Sequence, residues 1–287
     1  MNPHPSLSLK RERGRGEGES KIMSTLRVLI IGDIVGKPGR DACLKIIPYL
    51  RREKEIQFVI ANGENIAGGS SITPDTVKDI FQAGADLMTL GDHTFRKKEA
   101  ADLVEKDSRI VRPANYPEGA PGRGFTLMKW GNGVQIAVIN LMGRVFMDPL
   151  DCPFQKGKEI LEKLASKTTI IFVDVHAEAT SEKVAMGWFF DGKVTCVYGT
   201  HTHIQTSDER VLPKGTAYIT DLGMTGPYDS VIGREKEPVL YKFLTQLPAK
   251  YDVATGDVRL SGAIVDVDIE TGKAVHIERV HEYLNRI

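Results

Sequence analysis

Residues Arg27–Asp33 read RVLIIGD. A continuous apolar, β-branched run closed by glycine is the pattern of a strand buried on both faces. Here an acid follows the glycine at once. The same arrangement recurs along the chain. FVIA (Phe58–Ala61) leads into Asn62-Gly63-Glu64-Asn65, and LMTL (Leu87–Leu90) into Gly91-Asp92-His93. TIIFVDV (Thr169–Val175) leads into His176, and VTCVY (Val194–Tyr198) into Gly199-Thr200-His201-Thr202-His203. Five predicted strands thus each deliver metal-capable groups at the carboxyl end, where α/β sheets place their ligands. Glycine neighbours most of these groups and permits tight turns and close approach to an ion.

Helical patterns separate the strands. Asp41–Glu55 carries Leu44, Ile47 and Leu50 on one face, and Pro74–Ala83 follows a capping Thr73. Further helices are predicted over Lys97–Glu105, Lys156–Ser166 and Thr180–Gly187, and short strands over Ile110–Val111 and Ala217–Thr220. Phe125–Trp130 and Val134–Leu141 flank Gly131-Asn132-Gly133, a hairpin signal. Tyr251–Val280 alternates apolar and polar residues around turns at Thr255-Gly256 and Thr271-Gly272, as an antiparallel hairpin does. Alternating β and α units followed by hairpins predict an α/β fold with two mixed β-sheets packed face to face and flanked by helices.

One domain over residues 26–287 accounts for this pattern. Residues 1–25 differ. The opening MNPHPSLSLKRERGRGEGES has no apolar periodicity and cannot bury enough surface to offset its ordering entropy. A disordered or non-native extension is expected there, with Met23 as the start of the native chain; a basic arm is the alternative, weakened by the interleaved acids.

Lys+Arg and Asp+Glu balance at 38 each in 287 residues. That balance argues against duplex nucleic acid or an anionic membrane as the main partner. The three cysteines lie far apart, without zinc-finger spacing. No apolar stretch reaches the roughly 18–20 residues that span a bilayer. A cytoplasmic protein with reduced thiols is expected.

The candidate ligands are Asp33, Glu64, Asn65, Asp92, His93, His176, His201 and His203. Each alone reads blandly. Asp33 could cap a turn, His176 could be a satisfied core histidine, and a lone H-x-H is more often structural or half of a single-metal site. Jointly they do not. Four of the seven histidines fall at predicted strand ends, a bias that structural roles do not predict. Carboxylate, carboxamide and imidazole together suit Mn, Fe or Zn better than Mg or Ca. Eight groups exceed one tetrahedral site but fit two ions sharing a carboxylate, an arrangement that clamps phosphate and activates water.

These motifs resemble the calcineurin-like metallophosphoesterases, and more closely their YmdB-like bacterial branch. The resemblance runs through GDIVGKPGR (Gly32–Arg40), IANGENIAGG (Ile60–Gly69), DVHAEATSEK (Asp174–Lys183), GTHTHIQTSDER (Gly199–Arg210) and DLGMTGPYDSVIG (Asp221–Gly233). It implies an αββα sandwich with two divalent or trivalent ions, Fe or Mn first and Zn next. It also implies phosphodiesterase activity, notably on 2′,3′-cyclic nucleotides, by metal-bound hydroxide attack. Asp33, Glu64, Asn65 and His203 would hold one ion. Glu64 would bridge to a second held by Asp92, His176 and His201, and His93 would be the general acid. Two departures stand out. Val35 occupies the position where the wider superfamily has a ligating histidine, and Asp92 stands where the branch usually has Asn.

A small phosphodiester or nucleotide is the expected partner, and a homo-oligomer is left open. Three rivals remain. They are a phosphomonoesterase, an amidohydrolase barrel (which normally carries H-x-H after its first strand) and a nucleotide- or partner-binding regulator with a structural metal centre. Arg112 and Arg144 could clamp phosphate or simply pair with carboxylates.

Overall fold

The computed structural model describes residues 25–131 and 133–287. The N-terminal extension and Asn132 of the predicted hairpin turn lie outside the described residues. In chain order the first half comprises β1 (Thr25–Ile31), β2 (Asp33–Ile34), α1 (Gly36–Glu53), β3 (Phe58–Asn62), α2 (Pro74–Gln82), β4 (Leu87–Thr89), α3 (Lys98–Lys106) and β5 (Ile110–Val111). Next come β6 (Phe125–Trp130), β7 (Val134–Met142), α4 (Pro153–Leu164), β8 (Ile170–His176), α5 (Thr180–Phe190) and β9 (Cys196–Thr200). The chain continues through β10 (Arg210–Val211), β11 (Ala217–Ile219), β12 (Met224–Pro227), α6 (Lys236–Thr245), β13 (Val258–Asp268) and β14 (Ala274–Tyr283).

Two mixed sheets result. The eight-stranded sheet runs β2-β12-β13-β1-β3-β4-β5, with β14 beside β13; the six-stranded sheet runs β10-β11-β9-β8-β7-β6. β1, β3, β4 and β5 pair in parallel, as do β7, β8, β9 and β11. Their carboxyl ends therefore share an edge in each sheet.

Side-chain alternation explains why the central strands read as unbroken apolar runs. In β1, Leu26, Val28 and Ile30 enter the core between the sheets, whereas Leu29 and Ile31 enter the core beneath α1, α2 and α3. In β8, Ile170 and Phe172 face the inter-sheet core while Ile171, Val173 and Val175 pack against α4 and α5. Both faces are covered, so neither position tolerates polarity. Truncating a fully buried side chain such as Phe172 costs about 3–5 kcal/mol. The predicted αββα sandwich is the observed one.

Differences fall at boundaries and in the C-terminal third. α1 begins at Gly36, five residues before the predicted Asp41, so GKPGR forms its first turn. Gly36 has φ +59°, which turns the chain directly from β2 into the helix. Neither α6 nor β12 is among the predicted elements. Within α6 only Val239 is buried, so no amphipathic period marks it, and MTGP of β12 lacks strand-forming character apart from its pairing with β13 and β2.

Candidate metal centre

The site is built by extending the inter-sheet face past its apolar end. Residues that share a face recur every second position in a strand. Phe172 is followed on that face by Asp174 and then His176; Ile60 by Asn62 and then Glu64; Leu87 by Thr89; Tyr198 by Thr200. A fully buried polar layer of Asn62, Thr89, Asp174 and Thr200 thus caps the apolar core. The donors sit above it.

One group forms around Glu64, Asp92, His176 and His201, whose ligand atoms all lie within 4.8 Å of one another. His176 Nε2 is 3.0 Å from Asp92 Oδ1, 3.2 Å from Glu64 Oε2 and 3.1 Å from His201 Nδ1. His201 Nδ1 is 3.3 Å from Asp92 Oδ1. A second group lies on the other side of Glu64. Asn65 Nδ2 is 2.8 Å from Glu64 Oε1 and 3.4 Å from His203 Nε2, and His203 Nε2 is 3.9 Å from Asp33 Oδ1. The two carboxylate oxygens of Glu64 therefore face different groups. Asn65 Oδ1 meets His93 Nδ1 at 2.7 Å, and a half-turn of this amide would present oxygen, rather than nitrogen, to Glu64 and His203.

The H-x-H loop is held against its own conformational preference. His201 has φ +95° and His203 φ +66°, a backbone region costing about 1–3 kcal/mol for residues other than glycine. Asp33 Oδ2 accepts the His201 amide at 3.0 Å, and Asp221 Oδ2 accepts both the amide and the hydroxyl of Thr202. Lys183 Nζ donates to Asp221 at 2.6 Å with both side chains buried. Removing one partner of such a pair typically costs about 3–5 kcal/mol.

The residues fit a cation centre on several counts. Asp33 Oδ1 is buried without a hydrogen-bond partner. A methyl group built at Gly91 would collide with Glu64 Oε2 and His176 Nε2, so glycine there keeps open the space on which the donors converge. Burial, reinforced by Asp221, pushes the Asp33 carboxyl up to about 7; burial, Asp92 and Asp33 push Glu64 well above its ordinary value. Crowded buried carboxylates of this kind favour added positive charge. Burial brings His176 down to about 4, and it also lowers His203 and His93, the last partly offset by Asp92. Burial opposes ionisation of His201 as well, but Asp92, Asp33 and Glu178 outweigh it and raise that group.

A cavity of about 270 Å³ opens onto this centre, lined by Glu64, Asn65, His93, His201 and His203 together with Glu178, Ile232 and Arg234. All eight sequence-predicted residues therefore belong to one locality. Arg112 and Arg144 do not. The Arg112 guanidinium is spent on the carbonyls of Pro113, Ala120, Pro121 and Gly122, and Arg144 reaches Cys152 Sγ. The arginine on the cavity wall is Arg234, held by the carbonyls of Gly68, Gly69 and Tyr251. Nothing local in GREKEP marks it. Glu178, which meets His201 Nε2 at 3.1 Å, could have been suspected from its place two residues past His176. A larger cavity of about 480 Å³ at the amino-terminal end of β8 contains none of these donors.

Comparison with known proteins shows the family and the fold. A family described as YmdB-like protein matches residues 29–280. A Bacillus subtilis 2′,3′-cyclic-nucleotide 2′-phosphodiesterase is 51% identical over 255 residues, covering 89% of this chain and 96% of that protein. A crystal structure of a hypothetical protein from Thermus thermophilus superposes with TM-score 0.84 at 42% identity, covering 90% of this chain and 99% of that one. A phosphatase from Mycoplasma pneumoniae superposes with TM-score 0.86 at 32% identity, covering 91% and 95%.

Proposed function

Because this chain belongs to the family of YmdB-like proteins, we propose that it is a dinuclear-metal phosphodiesterase acting on 2′,3′-cyclic nucleotides. The observation that carries the reading is Glu64, whose Oε2 lies 3.2 Å from His176 Nε2 while Oε1 lies 2.8 Å from Asn65. A carboxylate shared in this way suits two cations. Asp92, His176 and His201 would hold one, and Asp33, Asn65 and His203 the other, with Fe or Mn favoured by the mixed oxygen and nitrogen donors. Two such ions supply a nucleophile at neutral pH and offset charge developing on the phosphoryl oxygens.

The chain's own groups do the rest. His93 lines the cavity beside the donors, with Nδ1 on Asn65 and Nε2 3.5 Å from Asp92 Oδ2. In this reading it would give a proton to the departing ribose oxygen. Arg234 is the one Lys or Arg among the described residues that line the cavity, and its pinned guanidinium would anchor the substrate's anionic group. The described residues include no helix long and apolar enough to cross a membrane, and Cys43, Cys152 and Cys196 are all unpaired; we place the enzyme in the cytoplasm.

The test is a panel of 2′,3′-cyclic nucleotides, 3′,5′-cyclic nucleotides and phosphomonoesters under Mn, Fe and Zn. Metal-dependent turnover highest on the 2′,3′-cyclic diesters is expected. Preference for monoesters would replace the reading with a phosphatase. No turnover by fully metal-loaded protein would favour a regulator with a structural centre.

A further inference from the structure

Two carboxylates that flank His176 in sequence sit behind the histidine ligands, on the sides facing away from the converging donors. In Asp174-Val175-His176-Ala177-Glu178, the outer acids reach two different rings. Asp174 Oδ1 accepts the Thr200 hydroxyl at 2.7 Å, and Thr200 Oγ1 lies 2.9 Å from His176 Nδ1. Glu178 Oε2 lies 3.1 Å from His201 Nε2.

We propose that Asp174, acting through Thr200, and Glu178 are positioning residues that fix the ring protons of His176 and His201 so that their unprotonated nitrogens face each other across the metal position. The inference rests on the metal centre proposed above and deepens it. A hydroxyl has a single proton to donate. Thr200 spends it on Asp174, which also receives the Thr89 hydroxyl at 2.5 Å and the Asn62 amide at 3.3 Å. Thr200 Oγ1 can then only accept from His176, so the His176 proton sits on Nδ1. The Glu178 carboxylate likewise accepts, so the His201 proton sits on Nε2. What remains is His176 Nε2 and His201 Nδ1 at 3.1 Å, each within 3.3 Å of Asp92 Oδ1. With the ring protons turned away, three lone-pair-bearing atoms face one another with no hydrogen between them, an arrangement that a cation satisfies. The two rings thus offer opposite nitrogens, decided for His176 by the polar layer over the apolar core and for His201 by Glu178.

Nitrogen-15 histidine NMR of metal-free wild type reads the tautomers directly. The expected spectrum has His176 protonated at Nδ1 and His201 at Nε2; a proton on His176 Nε2 or on His201 Nδ1 alone overturns the proposal. Cobalt(II) binding, followed by visible absorption against a competing chelator, gives a second readout. Thr200→Val and Glu178→Ala should each weaken one of the two sites by about 10–100-fold. Thr200→Ser and Glu178→Gln, which keep an acceptor, should restore affinity to near wild type. Unchanged cobalt affinity in Thr200→Val and Glu178→Ala would also overturn it. Neither readout uses a phosphodiester. Protein that binds two ions with these tautomers yet cleaves no cyclic nucleotide would refute the proposed activity and leave this inference standing.

Discussion

His176 and His201 meet edge to face, with ring centroids 4.8 Å apart and Nε2 of the first 3.1 Å from Nδ1 of the second. They lie at the ends of adjacent parallel strands of the second sheet, β8 and β9, yet Asp92, within 3.3 Å of both rings, and Glu64, 3.2 Å from His176, follow strands of the first. The centre therefore ties the two halves of the sandwich together at one edge.

Gly91 occupies the floor of that meeting point. Gly91→Ala would place a methyl group against Glu64 Oε2 and His176 Nε2. Metal analysis after dialysis should show loss of the ion shared by those groups, with far-UV circular dichroism unchanged. Full metal retention would contradict the placement of the donors.

His93→Ala should lower kcat by about 10²–10⁴-fold, the usual worth of a general acid. Metal content should stay near wild type, because the other seven candidate donors are untouched. Unaltered turnover would remove His93 from the chemistry.

Arg234→Ala should act on substrate binding. Losing one charged hydrogen bond, worth about 1.5–3 kcal/mol, corresponds to roughly a 10–100-fold rise in KM. Steady-state kinetics on a cyclic nucleotide separate this from a fall in kcat alone, which would place Arg234 outside the substrate's reach.

Asp208 lies away from the metal donors and reports on stability. Burial would raise its carboxyl, but donation from the Thr220 hydroxyl, Thr206 and the Thr220 amide outweighs burial and holds it below the ordinary value. A depressed folded value stabilises above the unfolded one, about 3.9, and that stabilisation disappears as pH falls through the folded value. Denaturant melts should show Asp208→Asn less stable than wild type at about pH 6–7. The gap should close progressively below about pH 4. A gap that widens on acidification would reverse the sign.

The sequence alone determined the central strands, their two-faced burial and the set of candidate donors. RVLIIGD, FVIANGEN and GTHTH are local statements, since period-two apolarity, glycine turns and ligand chemistry all act within a few residues. The same locality hid α6, whose apolar residues point outward, and left Arg112 and Arg144 undecided beside Arg234.

Only the tertiary structure decided which donors face which. Thr89 reaches Asp174 across 85 positions and Arg234 reaches Gly69 across 165. Such contacts depend on sheet order and on the face-to-face packing of the two sheets. Those follow from burying three apolar cores at once, a property of the whole chain that no single stretch encodes.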